Sequence, residues 1–449
     1  MYQTQTMKEK IALFTKVLIP ILITQVGIYL MNVFDTVMAG QASAEDLAGV
    51  AIGSSIWIPV LTGINGILLA ISPIVAQLTG ANKRERIPFA VKQGLYLAIA
   101  ISFTMFMLGF FFLDSILSLL SIDPNVYHVA KYYLTALGVG MVFLFSFNLM
   151  RSFIDALGQT KTSMLIILFA LPLNAFFNYM FIFGNFGAPE LGGVGAGVAS
   201  AITYMISFFL SVIIVHNVQP FRRYQVFKQF VRPSLSAWKE QLKIGVPIGF
   251  TIFFETSIFA AVTLFISVYD TITIAAHQAA MNFASIFYML PLAIAMALTI
   301  SVGFEVGGKR IHDAKVYSLI GISSGLFFAI LSGVLIFVFR EEVSQLYSND
   351  PDVIQLMQHF LIYAIFFQLS DGFGTPIQGA LRGYKDVNVT LVIAFISFWI
   401  IGLPSGILIA QFTSLGPFGY WVGLIIGLAT GAIILIVRLI QRLKLEASP

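Results

Sequence analysis

The chain has 449 residues, of which 58% are hydrophobic and 10% charged, and its formal net charge is +4. A mean hydropathy of +0.91 excludes a soluble protein, which needs far more charge to cover its surface. The absence of cysteine excludes disulfides and thiolate chemistry, the five scattered histidines show no HxxxH or HExxH spacing for zinc, and the small net charge gives no footprint for nucleic acid.

Charge-free runs at 47–82, 162–189, 191–221, 271–304 and 387–437 each exceed the roughly 20 residues that cross a bilayer as a helix. Barrel strands need only about ten alternating residues, so the fold class is all-α and polytopic. The first ten residues are polar, and the apolar run that follows is long and lacks a cleavage-like end. It reads as a retained span. Polar and turn-rich breaks then divide the chain into twelve spans: 11–39, 46–79, 89–113, 127–150, 162–183, 192–216, 240–268, 274–306, 314–338, 353–380, 387–410 and 418–442. The loops alternate in charge. Every Lys and Arg except Lys131 and Arg340 falls on one side, including Arg151 after span 4 and Arg382 after span 10. The positive-inside bias makes that side cytoplasmic, with both termini and the central loop. Ser43, Ser121 and Ser414 are then expected outside, Gln159 and Ser236 inside.

The two halves repeat. Asp123-Pro124 and Asp350-Pro351 precede spans 4 and 10, Gly80 and Gly307 follow spans 2 and 8, and Pro20 and Pro247 lie in spans 1 and 7, each pair 227 residues apart. LGGVG at 191–195 and LGPFG at 415–419 open spans 6 and 12 at an offset of 224. Six spans is an even number, so both halves insert the same way and the repeat is parallel. Transporters built from such repeats bind at the interface between halves and alternate access by rocking. The expected division is 1–216 as the first lobe, 217–239 as a basic cytoplasmic linker and 240–449 as the second lobe.

Within the spans, carboxylates stand out. Asp35 lies in ILITQVGIYLMNVFDTVMAG, with no other charge between Lys16 and Glu45; Glu255 and Asp371 repeat the pattern in the second half. An ionised carboxylate in a bilayer is costly, so each is a candidate proton or cation site or half of a buried pair. No Lys or Arg is expected in a span core, which leaves Asp35 without a permanent partner. Asn174 and Asn178 share a helix face at i and i+4, and their carbonyls suit a hard cation; interhelical hydrogen bonding is the bland alternative. Tyr288 offers a ring to a cation or simple lipid packing. Gln278, Asn282 and Gln368 are further polar candidates in the second half. Pro20, fifteen residues before Asp35, frees a backbone carbonyl and marks a candidate bend. GVGAGVASA at 194–202 reads as close helix packing, since no Lys-Ser/Thr follows it. Without an ATP-binding motif, energy must come from an ion gradient.

NVFDTVMAG at 32–40, SSIWIPVLTGINGILLAISPIVAQLTGA at 54–81, PELGGVGAGVASAIT at 189–203 and IAAHQ at 274–278 resemble the multidrug and toxic compound extrusion (MATE) family, NorM-type branch, and the likeness covers essentially the whole chain. The resemblance implies two six-helix lobes facing a central cavity, and export of cationic amphipathic drugs and dyes in exchange for Na⁺ or H⁺. It implies a first-lobe cation or proton site at Asp35 with Asn174 and Asn178, which Thr203 would complete. It also implies a second-lobe cation site at Glu255 and Asp371. Na⁺ fits either place. The expected protein is a non-enzymatic, monomeric, cofactor-free antiporter of the cytoplasmic membrane, surrounded by lipid. Two rivals stand beside it. A lipid-linked oligosaccharide flippase of the same superfamily would need a cationic cavity for pyrophosphate. A cation channel or receptor would need a filter-like loop or an extramembrane domain, neither of which is seen.

Overall fold

The computed structural model describes every residue except Ser121, Gln229, Ser448 and Pro449; the expectation for Ser121 falls outside that description. Among the described residues twelve helices are long and apolar enough to cross a membrane, and there is no strand. They are α1 (Met7–Ala42), α2 (Ala44–Leu68 continuing as Ile71–Gly80), α3 (Ile87–Ser118), α4 (Pro124–Ala156), α5 (Thr160–Phe183) and α6 (Gly193–Asn217). The second six are α7 (Leu235–Ile266), α8 (Thr271–Gly307), α9 (Ile311–Tyr347), α10 (Pro351–Gly383), α11 (Val387–Ala394 and Leu403–Phe412, joined by a π-helix at Phe395–Gly402) and α12 (Phe418–Ala447). Each of the twelve expected spans has its helix, and most helices run a turn or more past the apolar stretch that announces them.

Proline accounts for the two irregular helices. Pro73 has no N–H for the carbonyl of Leu69, which accepts instead from Ser72 N at 3.0 Å, and α2 breaks there. Pro404 likewise leaves the preceding turn short of a donor; the helix widens, and Leu403 N reaches back five residues to Phe398 O. The widened segment is covered by α12 through glycines: a Cβ on Gly423 would stand 2.4 Å from the Cα of Gly406, so the two backbones meet only because neither has a side chain.

The repeat is visible in local chemistry. Asp123 and Asp350 are the N-caps of α4 and α10, accepting from Asn125 N at 2.8 Å and Asp352 N at 2.9 Å, each with proline in the first turn. Thr24 donates to Pro20 O at 2.8 Å and Thr251 to Pro247 O at 2.7 Å. Left-handed backbone recurs at Asn82 and Lys309, at Gly158 and Lys385, and at Gly192 and Gly416.

The chain divides into two compact units, Met1 with Ile19–Val246 and Tyr2–Leu18 with Pro247–Pro449. This differs from the sequence division at both ends of the linker. In the first unit α4 is the central helix, buried almost continuously from Leu144 to Ala156 and packed on α2, α3 and α6. The segment read as a polar linker belongs to this unit. Phe221 and Tyr224 are buried against Phe153. Gln93 of α3 bonds Arg232 O and Ser234 N, both at 2.8 Å, and Gln241 bonds Ala90 O at 2.8 Å. In the second unit α10, the repeat counterpart of α4, is central and packs on α8, α9 and α12. The polar start of the chain is docked there: Thr4 pairs with Tyr317 at 3.0 Å, and buried Lys10 meets Asp313 at 3.0 Å. The short turn into α8 is capped by Asp270, whose carboxyl is held below its usual range by the backbone N–H of Thr273.

Candidate functional sites

In the first unit Asp35 lies on α1 and is 6% exposed. Asn174 and Asn178 of α5 donate to its Oδ1 at 3.2 and 2.6 Å, so the face predicted from their spacing points at the acid. Ser200 of α6 donates to Oδ2 at 2.7 Å. Among the described residues, three donors and no base therefore surround the carboxylate. The amides are also linked to each other, Asn178 Nδ2 to Asn174 Oδ1 at 3.3 Å. Asn178 Oδ1 is buried with no donor, an acceptor that desolvation leaves open. Tyr133 and Tyr204 lie within electrostatic range of Asp35, and Tyr133 pairs with Ser54 at 3.2 Å. Thr203, the expected fourth member, is buried but donates to its own helix at Ala199 O, 2.8 Å. Ser200, one turn earlier, holds the place assigned to it. It sits in the small-residue run read as packing, and the sequence leaves open which way its hydroxyl faces.

The second unit gathers Glu255 of α7 and Asp371 of α10 around a cavity of about 20 Å³, room for one water-sized guest. Thr375 donates to Asp371 Oδ1 at 2.8 Å, while Asp371 Oδ2 is buried and unpartnered. Gln378 Nε2 donates to Glu255 Oε1 and lines the same cavity. Asp371, Thr375, Gln378 and Arg382 fall at i, i+4, i+7 and i+11, one stripe of α10. That periodicity is readable in the sequence and identifies the three residues missed there. The cavity's far wall is Phe398 of the π-helix with Gly431 and Ala432 of α12; π-segments favour such places.

The remaining candidates separate. Tyr288 is half-buried, within electrostatic range of both Glu255 and Asp371. Gln368 is buried and donates to Ala284 O at 2.8 Å. Gln278 is exposed, and exposed Asn282 accepts from Tyr347 at 2.9 Å; neither joins the acids. Pro20 is buried in a helix that continues through it, with its carbonyl taken by Thr24.

One expectation is overturned. Arg151 and Arg382, read as loop residues, lie inside helices, Arg151 five residues before the end of α4 and Arg382 in the last turn of α10, and are only 8% and 6% exposed. Apolar runs mark the lipid-facing length of a helix. They do not mark where the helix ends, and the C-terminal dipole favours a cation in the last turn. Arg382 Nη2 donates to Gln378 Oε1 at 3.2 Å, so a positive charge does reach the half-buried Glu255 through one amide.

Twelve helical spans in two repeated sixes, each unit enclosing carboxylates away from water, define a polytopic membrane protein of duplicated design. The chain belongs to the MatE family, whose model matches residues 20–180 and 247–408. It is similar to the probable multidrug resistance protein NorM of Oceanobacillus iheyensis, 59% identical over 440 residues and covering 98% of each chain. The probable NorM of Bacillus subtilis is 55% identical over 444 residues, covering 99% of this chain and 98% of that relative. Among solved structures, the outward-facing conformation of a multidrug resistance MATE family transporter of the MOP superfamily matches with a TM-score of 0.89 over 100% of both chains at 17% identity. The eukaryotic MATE transporter AtDTX14 matches with 0.87 over 98% of both, also at 17% identity. At that identity the two show a shared fold, and the relatives bear out the NorM-type resemblance read from the motifs.

Proposed function

We propose that this chain is a secondary active exporter of cationic amphipathic compounds, driven by Na⁺ or H⁺ moving inward, in the cytoplasmic membrane with both termini inside. The observation that carries the reading is the pair of acid sites. Each combines a buried carboxylate with an acceptor oxygen that has no donor, Asn178 Oδ1 in one and Asp371 Oδ2 in the other. Unpartnered oxygens beside a carboxylate are what a bound proton or a small hard cation needs, and such groups are expensive to bury for structural reasons alone. The names of the bacterial relatives, probable multidrug resistance proteins, support the substrate class.

The chemistry is exchange at charged sites. Asp35, with three donors turned to it, is held as an acceptor ready for a proton or Na⁺. Neutralising it removes the attraction for a cationic drug; losing the ion restores it. Glu255 and Asp371 do the same around their cavity, with Thr375 supplying a further oxygen and Gln378 turning its amide N–H to Glu255. Among the described residues no Lys or Arg lines the Glu255–Asp371 cavity, and the Arg382 guanidinium is turned to Gln378; this disfavours the flippase alternative, whose pyrophosphate headgroup needs bases facing it. The test is efflux of the dye ethidium from proteoliposomes under an imposed Na⁺ gradient and, separately, an imposed pH gradient. At least one gradient is expected to drive efflux; an unresponsive protein under both sinks the proposal.

A further inference from the structure

Arg382 is an unusual residue to bury. It lies in the last turn of α10, 6% exposed, and among the described residues no carboxylate stands within ion-pair distance of it. A buried guanidinium needs compensation beyond the helix dipole. The structure offers one route. Arg382 Nη2 donates to Gln378 Oε1 at 3.2 Å, and the other end of the same amide, Nε2, donates to Glu255 Oε1. Gln378 thus spans a cation and an anion, oriented so that its dipole serves both. Among the described residues the arrangement belongs to the second unit alone. The residues 227 positions earlier are Arg151 and Asp155, and there Asp155 accepts from Ser163 instead.

We infer that Arg382 is a tethered internal cation for the Glu255–Asp371 site, acting through Gln378 to limit how tightly that site holds the coupling ion. Two carboxylates and one guanidinium leave a single net negative charge. One Na⁺ or one proton therefore balances the site, and a second is disfavoured. Without Arg382 the two acids would hold the first ion too strongly for release on the other side. Arg382 touches neither ion nor drug; it is a positioning residue whose effect travels through one side chain. The inference rests on the proposed ion-coupled reading of that site.

The experiment measures the external ion concentration that half-saturates ethidium efflux, for whichever of Na⁺ and H⁺ drives the wild type, in four proteins. Arg382→Gln removes the charge and is expected to lower the half-saturating concentration by about tenfold, with slower maximal efflux as ion release becomes limiting. Arg382→Lys keeps the charge and is expected within about twofold of wild type. Gln378→Met keeps side-chain length but removes the bridge, and is expected to shift in the same direction as Arg382→Gln. A merely structural arginine would lower the maximal rate or the folded yield without tightening ion dependence. An unchanged or raised half-saturating concentration in Arg382→Gln overturns the inference, as does a Lys variant that shifts like the Gln variant. If Arg382→Gln does not fold, Gln378→Met decides by the same criterion. A wild type that responds to neither ion defeats the proposed function itself and takes this inference with it, a result distinct from a responsive wild type with an unshifted variant.

Discussion

The two acid sites occupy one duplicated scaffold yet share no position. At the repeat offset of 227, Asp35 matches Val262, Glu255 matches Ile28 and Asp371 matches Leu144. The first site is one carboxylate on α1 satisfied by three uncharged donors. The second is two carboxylates on two helices, a cavity between them, and a guanidinium one amide away. Duplication has kept the capping aspartates, the proline–threonine pairs and the left-handed turns, the parts that shape helices. The charged residues have diverged. A low-dielectric interior makes each acid's behaviour depend on its immediate partners, so two differently partnered acids are two different devices.

Neutralising each site separately tests that difference most directly. Asp35→Asn fixes the uncharged form, and with no second acid nearby the first site loses its whole response. Gradient-driven ethidium efflux is expected to fall to the rate of empty vesicles, while equilibrium dye binding to the same purified protein survives. Asp35→Glu keeps the charge and should retain partial transport. Wild-type efflux in Asp35→Asn would move coupling out of the first unit. The paired site should be more tolerant. Glu255→Gln or Asp371→Asn leaves one carboxylate beside the cavity, so each is expected to weaken ion-stimulated efflux several-fold without abolishing it. A complete loss in either would mean that the two acids act as one group.

A smaller effect distinguishes neighbours on α6. Ser200→Ala removes a hydrogen bond to Asp35, a donor to a charged group worth about 1.5–3 kcal/mol. Losing a donor makes the ionised carboxylate less stable, so the ion is bound more tightly and released more slowly. The half-saturating ion concentration should fall by about tenfold. Thr203→Val removes only a bond to its own helix at Ala199 O and should leave ion dependence near wild type. Equal shifts in both variants would erase the distinction between them.

Most of the fold was legible in the sequence because membranes impose simple rules. Apolar length gave every span, and the repeat followed from prolines and glycines whose backbone roles are fixed by their covalent structure. Asp35, Asn174, Asn178, Glu255 and Asp371 were found because polar atoms in apolar runs are few. What stayed hidden depends on rotation and on helix ends. Ser200 and Thr203 are equally plausible hydroxyls until the angle of α6 is known. Arg382 looked like a loop residue because hydropathy ends before the helix does. The docked start of the chain and the buried Phe221 and Tyr224 were hidden for a third reason: in a polar segment, packing partners leave no periodic trace.

The smallest predicted effect tests whether the outer framework is as equivalent as its geometry. Asp123 and Asp350 are exposed, each caps the central helix of its unit through one backbone N–H two residues on, and each is followed by proline. Such caps contribute about 1 kcal/mol, largely independent of what lies further along the helix. Asp123→Ala and Asp350→Ala should therefore each lower the stability of the detergent-purified protein by about 1 kcal/mol. The double variant should lose the sum, since the two sites lie in separate units and share no partner. Ion dependence should not move in any of the three, because neither cap touches an acid site. Thermal unfolding in detergent measures the first quantity, and efflux at several ion concentrations the second. Unequal losses would show that divergence between the halves extends from the buried charges to the helix ends, and that α4 and α10 do not bear the same load in their respective units.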